Sequence, residues 1–89
     1  MPRVAFTASL ERHVACPAEQ VGGESVRGAL DAYFARHPQV RGYVLDEQGA
    51  LRQHVVVFVG ATQVRDRSHL ADAVAEADEI WVMQALSGG

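Results

Sequence analysis

SVRGALDAYFARHP, residues 25–38, is the stretch that decides the fold of this chain. Its apolar residues recur at i, i+3, i+4, i+7 and i+8, which is the spacing of one stripe along an α-helix. The residues of the stripe are Val26, Ala29, Leu30, Tyr33 and Phe34. Ser25 is a favoured helix N-cap, and Pro38 ends the pattern because the residue before a proline disfavours the helical conformation. The stretch therefore predicts one amphipathic helix at about residues 26–37.

On both sides of this helix the sequence has the patterns of β-strands. Residues 3–10, RVAFTASL, alternate apolar and polar side chains as a half-buried strand does. Residues 55–59, VVVFV, are five consecutive strand-favouring residues, and residues 79–85 form the last apolar run. One helix packed across a mixed sheet of four to five strands buries these faces with few elements, so the α+β class is predicted.

Weaker patterns fill the remaining segments. Residues 14–21, interrupted by a proline, and residues 62–64 each favour a short strand. Residues 39–53 carry the turn signal DEQG and are expected to form a loop or a short excursion from the sheet. Residues 68–77 are expected to form a weak helix or a single turn. The sequence contains no internal repeat and no interdomain linker, so a single domain is predicted.

Length and composition limit the possible functions. The 89 residues, 48% hydrophobic and 21% charged, suit one small globular domain. The net charge of −3 argues against a nucleic-acid-binding module, which usually carries a basic face. No apolar run approaches the length of about 20 residues that spans a bilayer, and residues 1–13 lack the apolar core of a signal peptide. One cysteine forms no internal disulfide, so we expect a cytoplasmic protein that binds neither nucleic acid nor membrane.

No conventional catalytic set is visible in the sequence. The histidines lack the i, i+4 spacing that a helix uses to bind zinc. They are His13, His37, His54 and His69. No serine lies in a Gly-x-Ser-x-Gly turn, and Cys16 is expected to be a buried or idle thiol. We therefore expect no metal, no cofactor bound by the chain itself and no catalytic activity of its own.

The predicted strands at residues 55–59 and 79–85 are apolar on both faces, although a sheet covered on one side needs only one apolar face. If Ile80 and Val82 face the helix in one strand, and the apolar residues at 55, 57 and 59 face it in the other, their neighbours along each strand stand on the open face of the sheet. These neighbours are Val56, Phe58, Trp81 and Met83, and Leu86 is assigned to the same surface. Such a patch on an exposed face is typical of a protein-docking site. The alternative is that the loop at residues 39–53 folds over this face and covers it.

The sequence ends in Ser87, Gly88 and Gly89, and two glycines are an unusual ending for a strand. Glycine has no Cβ, so these residues can enter a narrow channel. The terminal carboxylate is ionised at neutral pH and can attack the α-phosphate of ATP inside an enzyme that binds the nucleotide and magnesium. We therefore predict one domain at residues 1–85 and, at residues 86–89, a flexible tail that serves as a substrate handle.

Together these features resemble the ubiquitin-like β-grasp sulfur carriers of the MoaD/ThiS family. The resemblance rests on the helix stretch, on HVVVFVG at residues 54–60 and above all on ADEIWVMQALSGG at residues 77–89. The family includes the small subunit of molybdopterin synthase and the carriers of the thiazole and cysteine pathways. The resemblance implies a β-grasp fold, adenylation of Gly89 by an E1-like enzyme with Mg-ATP, and conversion of Gly89 to a thiocarboxylate.

The resemblance also implies partners. A sulfurtransferase or cysteine desulfurase would supply the sulfur, and an acceptor enzyme such as a molybdopterin synthase large subunit or a cysteine synthase would receive it. The sequence leaves the acceptor open among molybdopterin, cysteine, thiolated tRNA and a specialised metabolite. Two other interpretations stay open: a ubiquitin-like modifier conjugated through Gly89, and a plain β-grasp interaction domain whose glycines are incidental.

Three positions depart from the pattern of the family. Asn-Gly often follows the central strand where this chain has Gly60-Ala61, and glycine often precedes the Asp-Glu pair where it has Ala77. Gln84-Ala85 stands where a proline often precedes the tail. A positive φ at Ala77 would cost about 1 kcal/mol, so we expect a different turn type there.

Overall fold

The computed structural model describes residues 1–84, which form one mixed sheet of five strands together with three helices. The elements are β1 (Arg3–Phe6), α1 (Ala8–Glu11), β2 (Glu19–Gln20), α2 (Val26–Arg36), α3 (Pro38–Val44), β3 (Val55–Val59), β4 (Thr62–Gln63) and β5 (Glu79–Gln84). The strand order is β2-β1-β5-β3-β4; β1 is parallel to β5, and the other pairs are antiparallel. This arrangement confirms the predicted α+β fold with one main helix. In this part of the chain no helix is long and apolar enough to cross a membrane.

The main helix, α2, forms where the apolar stripe predicts it. The Ser25 hydroxyl accepts a hydrogen bond from the backbone N–H of Gly28 (3.1 Å), which caps the first turn. The helix ends at Arg36, because His37 precedes a proline and adopts a non-helical φ of −134°. All five residues of the stripe are buried. The stripe is therefore the helical half of the core.

The last strand, β5, lies at the centre of the sheet. In the register with β1, Val4 lies opposite Ile80 and Phe6 lies opposite Val82, while Val57 of β3 lies opposite Val82 on the other side. Ile80 and Val82 are fully buried, and burial of such a side chain stabilises the fold by about 1.5–3 kcal/mol. The weakly predicted strands β2 and β4 form the two edges of the sheet.

The first strand is shorter than the sequence predicts. The alternating pattern predicts a strand at residues 3–10, but β1 ends at Phe6 and α1 follows. The backbone N–H groups of Leu10 and Glu11 donate to the carbonyl oxygen of Thr7 (3.1 and 3.2 Å) rather than to a neighbouring strand. Alanine, leucine and glutamate favour helix, and Leu10 is buried in the helical arrangement as it would be in a strand. The prediction of a strand is therefore wrong for residues 8–10.

The segment at residues 39–53, predicted as a loop, contains most of helix α3. Pro38 is the first residue of α3, a position where its missing N–H costs no intrahelical hydrogen bond. Val40 and Val44, four residues apart, point from α3 into the core and are fully buried. The prediction of a loop is therefore wrong for the first half of this segment.

The segment at residues 68–77 contains no helix and is instead held by α2. The Arg27 guanidinium donates hydrogen bonds to the carbonyl oxygens of Gly49 (2.5 Å), Ser68 and His69 (both 3.2 Å). One side chain of the helix thus fixes two connecting segments through their backbone. The prediction of a weak helix is wrong, and that of a turn is correct for part of the segment.

The turn that opens this segment is built by Asp66. Its carboxylate accepts hydrogen bonds from the backbone N–H groups of His69 (2.9 Å) and Ala71 (3.3 Å). These donors, chiefly that of His69, hold the pKa of the Asp66 carboxyl below its usual value. The chain then passes through Leu70, which is fully buried and has a positive φ of 57°.

Two turns explain how the chain tolerates its departures from the family pattern. Gly60, with a φ of 60°, is the first residue of the two-residue turn Gly60-Ala61 between β3 and β4. A positive φ at the first central position alone is the pattern of a type II′ hairpin turn. Ala77 has no positive φ, and its turn is closed by the Asp78 carboxylate, which accepts from the backbone N–H of Ala75 (2.8 Å). Neither turn therefore strains an alanine.

We expect Gly23→Ala to destabilise the fold, because the backbone at this position suits only glycine. Gly23 has a φ of 145°, and a Cβ there would lie 2.6 Å from the backbone nitrogen of Ala29 in α2. The free energy of unfolding in urea should fall by about 2–3 kcal/mol. Gly22→Ala is the matched control, since a Cβ at Gly22 meets no atom within 4 Å. Its effect should stay below about 0.5 kcal/mol, and equal effects of the two substitutions would contradict this explanation.

Candidate functional site

The two faces of the sheet differ in what covers them. On the side of α2, Ile80 and Val82 of β5 are fully buried in the core. On the opposite side, the outer face, four apolar side chains of β3 and β5 are partly exposed. They are Val56, Phe58, Trp81 and Met83. The observed burial matches the predicted assignment of the two faces.

The strand register brings these four side chains together. In the antiparallel pair of β3 and β5, Val56 lies opposite Met83 and Phe58 lies opposite Trp81. Directly opposed residues on one face have Cβ atoms about 4.5–5.5 Å apart, which is close enough for their side chains to pack. None of the four belongs to the hydrophobic core cluster. They form one apolar surface, the outer patch.

Helix α3 and the loop after it leave the outer patch uncovered. Their buried apolar residues join the core cluster on the side of α2 instead. These residues are Val40, Val44, Leu45 and Leu51. Arg27 holds the loop to α2 through the carbonyl oxygen of Gly49. The alternative in which residues 39–53 fold over the outer face is therefore wrong, and within residues 1–84 the patch is open to a partner.

A polar row borders the outer patch on the side of β1. Glu79 accepts the indole N–H of Trp81 at Oε1 (2.6 Å) and a guanidinium N–H of Arg3 at Oε2 (2.7 Å). From the sequence, Glu79 is recognised only as part of the Asp-Glu pair at the start of the last strand, and no role is predicted for Arg3. The available signal was the i, i+2 spacing of Glu79 and Trp81, which places both on one face of a strand.

Half of the outer patch lies on β5, the strand that precedes the C-terminal residues in the sequence. The described part of β5 ends at Gln84. The other predicted site residues, Leu86, Ser87, Gly88 and Gly89, lie outside the described residues. The structure thus brings the four strand residues of the predicted docking surface together and gives no position for the tail.

Cys16 lies in the core and not in a site. Its side chain is 3% exposed, and burial raises the pKa of the thiol, with a further contribution from the negative charge of Glu11. A thiol with a raised pKa stays protonated at neutral pH, which is its unreactive form. Burial likewise raises the pKa of the nearby Tyr33 hydroxyl, which donates to the carbonyl oxygen of Pro17 (2.7 Å).

Two of the histidines, His37 and His13, make structural contacts. His37 bonds the carboxylate of Glu19, which also accepts from Arg36 (2.8 Å), and these bonds tie the edge strand β2 to the end of α2. His13 stacks on Tyr43 with ring centroids 6.5 Å apart. Within residues 1–84 no group of three or more potential metal ligands is found.

We expect Cys16 to react slowly with a disulfide reagent while the protein is folded, because the thiol is buried and protonated. At neutral pH its labelling rate should be at least about tenfold below that of the urea-unfolded chain. Since the pKa is raised, thiolate forms only above the ordinary pKa of a thiol, and mild alkalinity should not restore fast labelling. Rapid labelling of the folded protein at neutral pH would contradict the burial of Cys16.

Comparisons with known proteins extend over nearly the whole chain. The model of the ThiS family matches residues 14–89. The fold is similar to that of a chain of the Amycolatopsis orientalis BexX/CysO complex, with 22% identity, complete coverage of both chains (100%) and a TM-score of 0.82. CysO of Mycobacterium tuberculosis, an antigen, is similar over 97% of this chain and 100% of its own, with 20% identity and a TM-score of 0.80.

A third solved structure is similar at slightly higher identity. SAMP1 of Haloferax volcanii shares 26% identity over 99% of this chain and 98% of its own, with a TM-score of 0.77. A comparison with curated protein sequences found no match. The structures confirm a β-grasp fold of the ubiquitin-like kind.

Proposed function

The chain belongs to the ThiS family, and from this membership we propose that it is a sulfur-carrier protein whose working group is the Gly89 carboxylate. Like the other small carriers of this kind, it is a co-substrate of enzymes and not an enzyme. The observation that carries the proposal is the outer patch, an open apolar face on β3 and on the central strand β5. In the sequence, two residues separate Ser87, Gly88 and Gly89 from Gln84, the last described residue of β5.

The proposed cycle begins with adenylation of Gly89. Inside an E1-like adenylating enzyme that holds Mg-ATP, a carboxylate oxygen of Gly89 attacks the α-phosphate and pyrophosphate leaves. The terminal sulfur of a persulfide then attacks the acyl carbon, and AMP leaves. A second thiol cleaves the resulting acyl disulfide, so that the carrier keeps a thiocarboxylate and the donor enzyme becomes a disulfide. The thiocarboxylate sulfur then attacks the acceptor and displaces a leaving group from it. Water hydrolyses the resulting thioester, which leaves the sulfur on the acceptor and regenerates the Gly89 carboxylate.

The carrier contributes two physical properties to this cycle. Gly88 and Gly89 have no side chain, so the tail fits a channel that leads to the nucleotide. The outer patch supplies apolar surface that a partner buries while the tail is in place. ATP and magnesium are held by the activating enzyme, and the carrier needs no site for either.

The proposal assigns three classes of partner to the chain. They are an E1-like adenylating enzyme, a sulfurtransferase or cysteine desulfurase, and an acceptor enzyme such as a molybdopterin synthase large subunit or a cysteine synthase. We place the cycle in the cytoplasm, where ATP is available and thiols are kept reduced.

A second function, conjugation of Gly89 to lysines of other proteins, is favoured by the likeness to SAMP1, a small archaeal modifier protein. Both functions begin with the same acyl-adenylate. The chain has no lysine, so as a modifier it could not form polymers through its own side chains. Isopeptide-linked adducts recovered from cells would favour the modifier, and a thiocarboxylate without adducts would favour the carrier.

Deletion of Gly88 and Gly89 is expected to abolish activation, because the shortened carboxylate no longer reaches the α-phosphate. The measurement is exchange of labelled pyrophosphate into ATP by the cognate E1-like enzyme. The full chain should support exchange and the truncated chain should not, although its midpoint of urea unfolding should be unchanged. Equal exchange with both chains would contradict the role assigned to the two glycines, and no exchange with either chain would favour a plain interaction domain.

Phe58→Arg is expected to weaken docking while the fold persists. A central apolar anchor of an interface contributes enough that its loss should raise the KM for the carrier by about tenfold. Since Phe58 lies on the outer face, the free energy of unfolding should fall by no more than about 1 kcal/mol, the size of one cross-strand pair.

Tyr43→Arg is the matched control for this substitution. Tyr43 is an aromatic residue on α3, 47% exposed, and its replacement adds the same charge away from the outer patch. The KM of this variant should stay at the wild-type value. An unchanged KM for Phe58→Arg would exclude the outer patch as the docking surface, and unfolding of that variant would show that the faces are assigned wrongly.

A further inference from the structure

In the polar row beside the outer patch, one carboxylate accepts two hydrogen bonds. Glu79 receives the Trp81 indole N–H at one oxygen (2.6 Å) and the Arg3 guanidinium at the other (2.7 Å). Arg3 and Glu79 are register partners on the adjacent parallel strands β1 and β5. The three side chains thus form a continuous chain of charge-assisted hydrogen bonds across the outer face.

The burial of Ala5 bears on the position of the indole. Ala5 is 3% exposed, yet it is the one buried hydrophobic residue of the described chain that does not belong to the core cluster. It is the register partner of Trp81 and lies on the outer face with Arg3 and Glu79. Ala5 is therefore covered from the outer side, where the register places Trp81 opposite it on β5 and the strand alternation places Arg3 on the same face of β1.

We propose that Arg3 and Glu79 act as a latch that holds the Trp81 indole down over β1 and so fixes the shape of the outer patch before a partner binds. Arg3 and Glu79 are positioning residues in this arrangement. The consequence for docking rests on the proposed sulfur-carrier function, whereas the latch itself is a property of the free protein.

The exposure of the ion pair argues that it positions Trp81 more than it stabilises the fold. The side chains of Arg3 and Glu79 are 49% and 38% exposed, and solvent-exposed ion pairs contribute little to stability. An aromatic side chain that is ordered in advance, by contrast, spares the complex the entropy of immobilising it on binding. Replacing either residue should therefore change the behaviour of Trp81 without unfolding the chain.

The free protein offers a direct test, because Trp81 is the only tryptophan in the sequence. In Glu79→Ala the indole N–H resonance should shift and exchange faster with water, and the fluorescence should be quenched more easily by acrylamide. Arg3→Gln should change both signals in the same direction by a smaller amount. Arg36→Gln is the matched control, because it removes the exposed ion pair with Glu19 and should leave both Trp81 signals unchanged.

Unchanged Trp81 signals in Glu79→Ala, with urea unfolding confirming that the variant is folded, would overturn the latch. Glu79→Gln serves as a second variant. It keeps an oxygen acceptor for the indole but loses the charge that attracts Arg3, so its signals should lie between those of the wild type and of Glu79→Ala.

Pyrophosphate exchange with the E1-like enzyme tests the consequence for docking. Glu79→Ala should raise the KM for the carrier about threefold to tenfold, because the Trp81 indole must then be immobilised when the partner binds. The value of kcat should be unchanged, because the bound complex is the same once the indole is in place. A changed Trp81 signal with an unchanged KM would overturn the role of the latch in docking. If the wild-type chain supports no exchange at all, the sulfur-carrier proposal fails, and the Trp81 signals still decide whether the latch exists.

Discussion

The pairing of β5 between β1 and β3 is the constraint on which the rest of this structure depends. Because side chains alternate along a strand, one register places Ile80 and Val82 in the core and Trp81 and Met83 on the outer face. A slip of one residue would exchange the two sets and bury the indole against α2. The register that holds the fold together therefore also creates the surface that a partner can use. The core and the outer patch are two sides of one strand.

The elements that could be predicted from the sequence are those with strong local signals. Helix α2 has a cap at Ser25, an apolar stripe and Pro38 after it, and these signals agree with its packing. Helix α1 and helix α3 are short, and their conformation depends on contacts made elsewhere in the fold. Pro38 was recognised as the end of one helix, although a proline can also begin the next. The alternation at residues 3–10 is compatible with a strand and with the short helix α1, because either element can place Leu10 in the core. The pattern alone therefore does not distinguish the two.

The candidate site could be predicted in part, for a related reason. The outer patch follows from strand periodicity alone, since Phe58 and Trp81 belong to apolar runs whose alternate residues fill the core. Whether the patch is open depends on where the two connecting segments pack. Arg27 holds both of them to α2 by donating hydrogen bonds to their backbone carbonyl oxygens. The bond from Arg3 to Glu79 joins residues 76 positions apart in the sequence, and no local pattern reports such a contact.

The account assigns separate tasks to separate parts of one small chain: the sheet provides a preformed surface, and the terminal carboxylate provides the chemistry. Its central claim is that Gly89 carries sulfur. The most direct test is the intact mass of the protein after incubation with an E1-like enzyme, Mg-ATP and a persulfide donor. The account predicts that one carboxylate oxygen is replaced by sulfur and that fragmentation places the change at Gly89. An unchanged mass while the enzyme consumes ATP in the presence of the carrier, or sulfur found on Cys16 instead, would contradict it.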